Sequence, residues 1–253
     1  QMKLESLLQY LDGYLGVDGH PDYPTALNGL QVAGPDEVQK IAVAVDASEA
    51  AIAAAVDLNA DLLIVHHGLF WGGLQPLTGR HFRKVQMLLA ADIALYSCHL
   101  PLDSHGEVGN CAVLGRAMGL ELEGQFGPYK GKEIGWWGTL PDATNPIDMS
   151  VKLEELLDTV VHLIAGGSDR IERVGIVTGG GASFIEAAVA AGLDALVTGE
   201  GSHHSHFDAT ELGINVFFGG HYATETFGVR ALAEHLQERF QVEWHFIDQP
   251  TGL

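Results

Sequence analysis

Along the chain, short apolar runs alternate with stretches in which apolar residues recur every three or four positions. IAVAV at 41–45 and LLIV at 62–65 have the length of buried strands, and the segment between them carries Ile52, Ala55 and Val56 on one face of a 3.6-residue period. Strand, helix, strand in that order predicts a parallel pair joined by a crossover helix. The pattern then repeats. KIAVAVDASEAAIAAAVDLNADLLIVHHG (40–68) aligns without a gap on RVGIVTGGGASFIEAAVAAGLDALVTGEG (173–201), at an offset of 173 − 40 = 133. Ile52 falls on Ile185, Val56 on Val189, Asp61 on Asp194, Leu63 on Leu196 and Gly68 on Gly201. Ser48 and Ser183 are the candidate N-caps of the two helices. The repeat predicts an α/β fold of two pseudo-symmetric subdomains from a duplicated βαβ unit, with mostly parallel central sheets flanked by helices and a site between the halves.

A second correspondence follows each repeat. IALYSCHLPLD ends with His99 and Asp103, and NVFFGGHYATE with His221 and Glu225, an H-x-x-x-[DE] pattern at an offset of 221 − 99 = 122. Between the halves, VGNCAVLGRAMGLEL reads as a helix stopped at Gly119, KEIGWWGTL as a strand, DMSVKLEELLDTV as a helix capped by Asp148 or Ser150, and VHLIAGG as a strand. FGVRALAEHLQERF and VEWHFID read as a closing helix and strand. The glycine-rich stretch 124–132 is the expected boundary, giving halves of 2–128 and 129–253, with the C-terminal segment able to join the first half. A turn-rich loop spans 18–34.

Composition narrows the function classes. Hydrophobic residues are 47% of 253, enough for a sizeable core, and no run approaches the roughly 18 apolar residues of a membrane span. Gln1 reads as a residue left from cloning ahead of Met2, and no basic segment followed by an apolar one marks a secretory signal. The two cysteines, Cys98 and Cys111, form no CxxC and read as small buried hydrophobes, so a reducing cytoplasm is the expected location. Thirteen basic residues against 33 acidic ones, a formal charge of −20, disfavour binding to a nucleic-acid backbone; the longest basic cluster is GRHFRK at 79–84.

The chemistry gathers where strands end. His66 and His67, Asp103, and His221 with Glu225 all follow predicted strands, and parallel sheets bind ligands beyond their carboxyl ends. Neighbouring strand residues face opposite ways, so His66 and His67 can serve one site only where the strand gives way to a loop, which Gly68 allows. One imidazole per ion across a pair of ions is the easier arrangement. His221 and Glu225, four apart at a helix start, share a face, and Pro101 fixes the loop that carries Asp103. A lone HH pair, or a lone i, i+4 pair, is ordinarily a packing or surface contact. Five ligand-type residues at corresponding strand ends point instead to a metal site. Three imidazoles and two carboxylates suit Zn, Fe, Mn, Co or Ni better than Ca or Mg. Two such ions with two carboxylates leave about two net positive charges, which favours a metal-activated water and an anionic small-molecule substrate. His99 is a candidate catalytic or ligand-supporting residue, Glu200 and His204 are catalytic candidates, and His203, His206, Trp71 and Tyr222 are candidates for lining the substrate site. By the offset of 133, Glu200 stands where the first half has His67. For Trp71 and Tyr222, apolar packing is the competing role. His81, His162, His235 and His245 read as ordinary packing or surface histidines.

NGLQV, DLLIVHHGLFW, SCHLPLD, GNCAVLGRAMGL, VTGEGSHHSHFDA and GGHYATE occur in the order seen in the Nif-three-like family, whose members are often labelled homologues of type-two GTP cyclohydrolase I. The chain resembles that family from about Leu4 to Ile247. The resemblance implies two α/β subdomains, a di-metal centre with His66, His67, Asp103, His221 and Glu225 as ligands, and a ring-shaped homohexamer. It leaves two functions open: a metal-dependent hydrolase of a nucleotide-like or phosphate-bearing molecule, and a non-catalytic metal-binding, metallochaperone or scaffold protein.

Overall fold

The structure is a computed structural model that describes residues 2–253, so Gln1 lies outside it. The chain forms two compact units. The first runs to Leu102 and takes in Val229–Gln249; the second is Asp103–Gly228 with Pro250–Leu253. The expected boundary near residue 128 is therefore misplaced, although the C-terminal helix and strand do join the first unit. Residues 124–132 belong to a hairpin instead of a linker: strands Glu121–Tyr129 and Lys132–Thr144 pair antiparallel. The turn between them holds Lys130 and Gly131 at φ 46° and 87°, the left-handed values a two-residue hairpin needs.

The first unit is built on a five-stranded sheet in the order Glu243–Phe246, Lys40–Asp46, Leu62–His67, Ala94–Ser97, Gly29–Val32. All neighbours are parallel except the last pair. Residues 41–45 and 62–65 are buried throughout, which is why they read as unbroken apolar runs rather than alternations. Helix Glu49–Asp57 starts where Ser48 Oγ accepts from the Ala51 amide, as expected of that cap. Ile52, Leu63, Val65, Leu88 and Leu95 share one core with it.

The second unit has six strands in the order Glu121–Tyr129, Lys132–Thr144, Ile171–Val177, Ala195–Thr198, Asn215–Phe218, His162–Ala165. Only its middle three are mutually parallel, so this sheet is mixed rather than mostly parallel. The hairpin explains part of the difference, since strands joined by so short a turn pair antiparallel. Val174, Ile176, Val197 and Phe217 pack in one apolar layer, and Val177, Leu196 and Val216 in another. Ser183 caps nothing, because a 3-10 turn, Gly181–Phe184, runs into the short helix Ile185–Ala190. The later helix, Pro146–Leu157, starts at Asn145 instead of Asp148 or Ser150; Asn145 accepts from the Asp148 amide, and Pro146 sets the first turn.

The two sheets share their registers. Ile41 pairs with Leu62 and Val174 with Ala195, and 174 − 41 and 195 − 62 both equal 133. Asp61 Oδ2 accepts from the amides of Gln39 and Lys40, and Asp194 Oδ2 from those of Glu172 and Arg173. The third strands pair Leu62 with Ala94 and Ala195 with Asn215, an offset of 215 − 94 = 121. The histidine motif beyond them is offset by 122, so the second unit has one extra residue between strand and histidine. Gly219 and Gly220 occupy that stretch where the first unit has Cys98 alone, and Gly220 sits at φ 94°.

Candidate metal centre

In the first unit the strand Leu62–His67 does not fray before its histidines. His67 still pairs with Asp46, and its carbonyl accepts from the Ala47 amide at 2.9 Å. The glycine that follows has a different purpose from loosening the strand: a Cβ at Gly68 would overlap the Gln31 amide, whose Oε1 accepts from the Leu69 amide at 2.9 Å. Beyond the strand end the two rings lie 4.6 Å apart, centre to centre, and His99 joins them at 5.1 Å from His66 and 5.5 Å from His67.

Each of these rings is braced through Nδ1. His66, wholly buried, lies 2.8 Å from the Cys98 carbonyl. His67 lies 2.8 Å from Asp46 Oδ1, and His99 2.8 Å from Asp22 Oδ1. A carbonyl or carboxylate oxygen can only accept, so each Nδ1 carries a hydrogen, and in the neutral ring Nε2 is then the acceptor. That is the tautomer a metal-ligating histidine adopts, with the supporting oxygen raising its basicity. One potential ligand atom from each ring lies within 4.8 Å of the others. Asp22 is itself held tightly. Burial works to raise its carboxyl, but the hydrogen bond and charge of His99, with bonds from Asn28 Nδ2 and the Leu100 amide, outweigh burial and hold it below the usual carboxylate range. Trp71 stands edge-on to His99 at 4.7 Å and to His67 at 5.9 Å.

In the second unit, Asp103 sits in a short helix, Leu100–Ser104, where an open loop was expected. Its buried carboxylate accepts at Oδ1 from Asn110 Nδ2 at 2.9 Å and Thr178 Oγ1 at 3.0 Å. Asn110 in turn accepts from the Gly228 amide at 2.7 Å. His221 and Glu225 are brought together, although the helix His221–Thr224 ends before Glu225. His221 Nε2 lies 3.1 Å from Glu225 Oε2, and its Nδ1 lies 2.6 Å from Glu200 Oε1. The Glu225 hydrogen bond, joined by that of Glu200, overcomes the effect of burial and raises the His221 imidazolium to a pKa of about 9. Gly179, at φ 67°, is required at this point, since a Cβ there would overlap Glu225 Oε1.

The remaining candidates separate. Glu200 braces His221 and also borders two open grooves of the second unit. One, about 580 Å³, is lined by His204, Ser202 and Glu186; the other, about 530 Å³, by His203, His206 and Phe218. Tyr222 is buried, with its amide donating to the Leu253 carbonyl, so its ring packs inside and offers no face for stacking. Four residues of the site escaped sequence reasoning: Asp22, Asp46, Asn110 and Thr178. Asp46 ends the first repeated strand and Asp22 lies in the turn-rich loop, but nothing in their spacing marks them as supports. Imidazole nitrogens and carboxylate oxygens, already oriented by second partners, fit borderline divalent ions.

A family model for Duf34/NIF3 (NGG1p interacting factor 3) matches residues 2–252. The chain belongs to that family. It is 44% identical over 249 residues to a Deinococcus radiodurans protein named GTP cyclohydrolase 1 type 2 homolog, covering 98% of this chain and 94% of that one. A Halobacterium salinarum protein of the same name is 47% identical over 232 residues, covering 90% and 91%. Among solved structures, a Thermus thermophilus protein matches with a TM-score of 0.90 at 42% identity over the whole of both chains. Among the described residues of this Duf34/NIF3 protein, no helix is long and apolar enough to cross a membrane.

Proposed function

We propose that the protein holds two divalent ions, with His66, His67, Asp103, His221 and Glu225 as ligands, and acts as a hydrolase on a small nucleotide-like or phosphate-bearing substrate. The observation that carries the reading is the uniform bracing of four histidines: His66, His67, His99 and His221 each have Nδ1 within 2.8 Å of a carbonyl or carboxylate oxygen. Histidines that merely pack have no need of an oxygen at Nδ1 four times over. Bound there, the ions would supply Lewis-acid polarisation and a water nucleophile at neutral pH. Asp46, Glu200, Asn110 and Thr178 hold the ligands in place. His203, His204 and His206 line the grooves beside Glu200 and offer imidazole donors to an anionic group. The label carried by the relatives, GTP cyclohydrolase 1 type 2 homolog, agrees with a nucleotide-like substrate. A homohexameric ring and a cytoplasmic location complete the proposal.

One observation favours the second reading, a non-catalytic metal-binding or metallochaperone protein. Glu200, the candidate acid–base carboxylate, is already engaged by His221 at 2.6 Å. Metal content by plasma mass spectrometry, on protein purified without a chelating tag, tests the common ground. Close to two ions per chain, reduced in His66→Ala and in Glu225→Ala, is expected. No bound metal after reconstitution with Zn, Mn or Fe overturns both readings. Turnover of nucleotides or phosphoesters by the loaded protein then separates the hydrolase from the store.

A further inference from the structure

We propose that Trp71 is a substrate-binding residue whose indole N–H donates a hydrogen bond to an oxygen of an anionic group, of which phosphate is the simplest, held beside His67 and His99. The proposal rests on the reading above of an anionic substrate drawn to bound cations, and it adds a donor that fixes that substrate. For Trp71 the sequence sets ring stacking against apolar packing; the structure makes its nitrogen the informative atom.

Trp71 Nε1 is buried and has no hydrogen-bond partner. Elsewhere in the chain, Trp136 Nε1 donates to the Ser104 carbonyl at 2.9 Å and Trp244 Nε1 to Gln237 Oε1 at 3.2 Å. A buried donor without an acceptor has given up its hydration for nothing, which is why such groups are rare in native proteins. The neighbours of the Trp71 ring are aromatic: His99 edge-on at 4.7 Å, His67 at 5.9 Å and Tyr23 at 6.2 Å. A ring face is a weak acceptor beside an oxygen. The indole nitrogen can only donate, so its partner must accept, and an anionic oxygen makes the stronger bond.

The loop is built to hold the ring in that place. The Gly73 amide donates to the Phe70 carbonyl at 2.8 Å, closing a four-residue turn with Trp71 in second position. Phe70 anchors the turn by packing on the core of the first unit and edge-on to buried His81 at 5.8 Å. Ahead of it, Gln31 accepts from the Leu69 amide and donates through Nε2 to the Ala26 and Leu27 carbonyls, at 3.1 and 3.0 Å. A donor fixed in this way loses little freedom when it binds.

Ultraviolet resonance Raman reads hydrogen bonding at an indole N–H directly, and the difference between the full chain and Trp71→Phe isolates the Trp71 band. In the zinc-loaded protein, inorganic phosphate should move that band to its hydrogen-bonded position. Trp71→Phe keeps a ring and removes the donor, so it should bind phosphate at least about tenfold more weakly by calorimetry, with zinc content unchanged. Guanosine monophosphate should move the band as phosphate does, and guanosine should not. Phosphate that binds without moving the band, or binds Trp71→Phe equally well, overturns the proposal and leaves metal binding intact. So does a zinc-loaded protein that binds no phosphate, or a band that guanosine moves alone. A protein that takes up no zinc yet shows the phosphate shift overturns the metal reading and keeps the donor. If Trp71→Phe fails to fold, the indole bands of the unsubstituted protein decide, and a spectrum that phosphate leaves unchanged overturns the proposal.

Discussion

The two units put different chemistry on the same scaffold. Their paired strands share a register offset of 133, and Asp61 and Asp194 close the two turns with equivalent hydrogen bonds. At the strand ends the likeness stops. His66 and His67 of the first unit stand where the second has Gly199 and Glu200, and Asp46 stands where it has Gly179. In the first unit the imidazole is on the second strand and its supporting acid on the first. In the second unit the acid, Glu200, is at the end of the second strand and the imidazole, His221, follows the third. A Cβ at Gly199 would run into the backbone of Gly179 and Gly220, so the second unit has no room for a ring at that point. The lesson is that a repeated βαβ frame fixes where polar groups can be offered, while the loops decide whether a position supplies a ligand or its support.

Breaking each half tests this division. The largest effect is expected from His66→Ala, which removes a fully buried imidazole and should weaken the ion it holds by more than about 100-fold, read by competition with a chromophoric chelator. In the second unit the stronger result should come from folding stability. Asn110 joins Asp103 to the Gly228 amide from a fully buried position. Asn110→Ala should therefore cost about 2 kcal/mol in urea denaturation of the metal-free protein, because it takes a partner from two buried groups. Thr178→Val should cost less, about 1 kcal/mol, since it removes the bond to Asp103 and a weak contact with the Cys111 thiol. Asp46→Asn and Glu200→Gln sharpen the comparison further. Each weakens an equivalent brace, and each should lower affinity only about tenfold, Asp46→Asn for the ion on His67 and Glu200→Gln for the ion on His221. Equal losses of both ions in either variant would show that the braces are not private to their units.

How much of this was readable beforehand follows from the range of the interactions. The repeat and the ligand-type residues were legible because strand burial and strand ends leave local patterns, which an offset of 133 displays twice. The braces were not, because they join residues far apart in sequence: Asp22 to His99, Asp46 to His67 and Thr178 to Asp103. The boundary failed for a different physical reason. Glycines at 124, 127 and 131 suggested a linker, yet Gly124 lies against the Trp137 ring, Gly127 takes φ 79° against Phe184, and Gly131 forms the hairpin turn. They are there for close approach and left-handed turns. Gly68 was misread in the same way, as a loosener of the strand when it makes space for Gln31.

The finest distinction is made by pH. In the metal-free second unit, His221 titrates at about 9, against 6.5 for an ordinary histidine, because Glu225 and then Glu200 favour the imidazolium. A raised folded-state value means that this group's contribution to stability is fully present below the unfolded value, near 6.5, and is lost as the pH rises through about 9. The metal-free protein should therefore lose stability from this group across that interval. An ion on Nε2 must displace the same proton, so affinity for the ion held by His221 should climb about tenfold per pH unit up to about 9 and then level off. Melting curves of the two forms at pH 7, 8 and 9 should diverge, the metal-free protein falling while the stabilisation by metal grows. Parallel curves would mean that His221 carries no proton for the ion to displace.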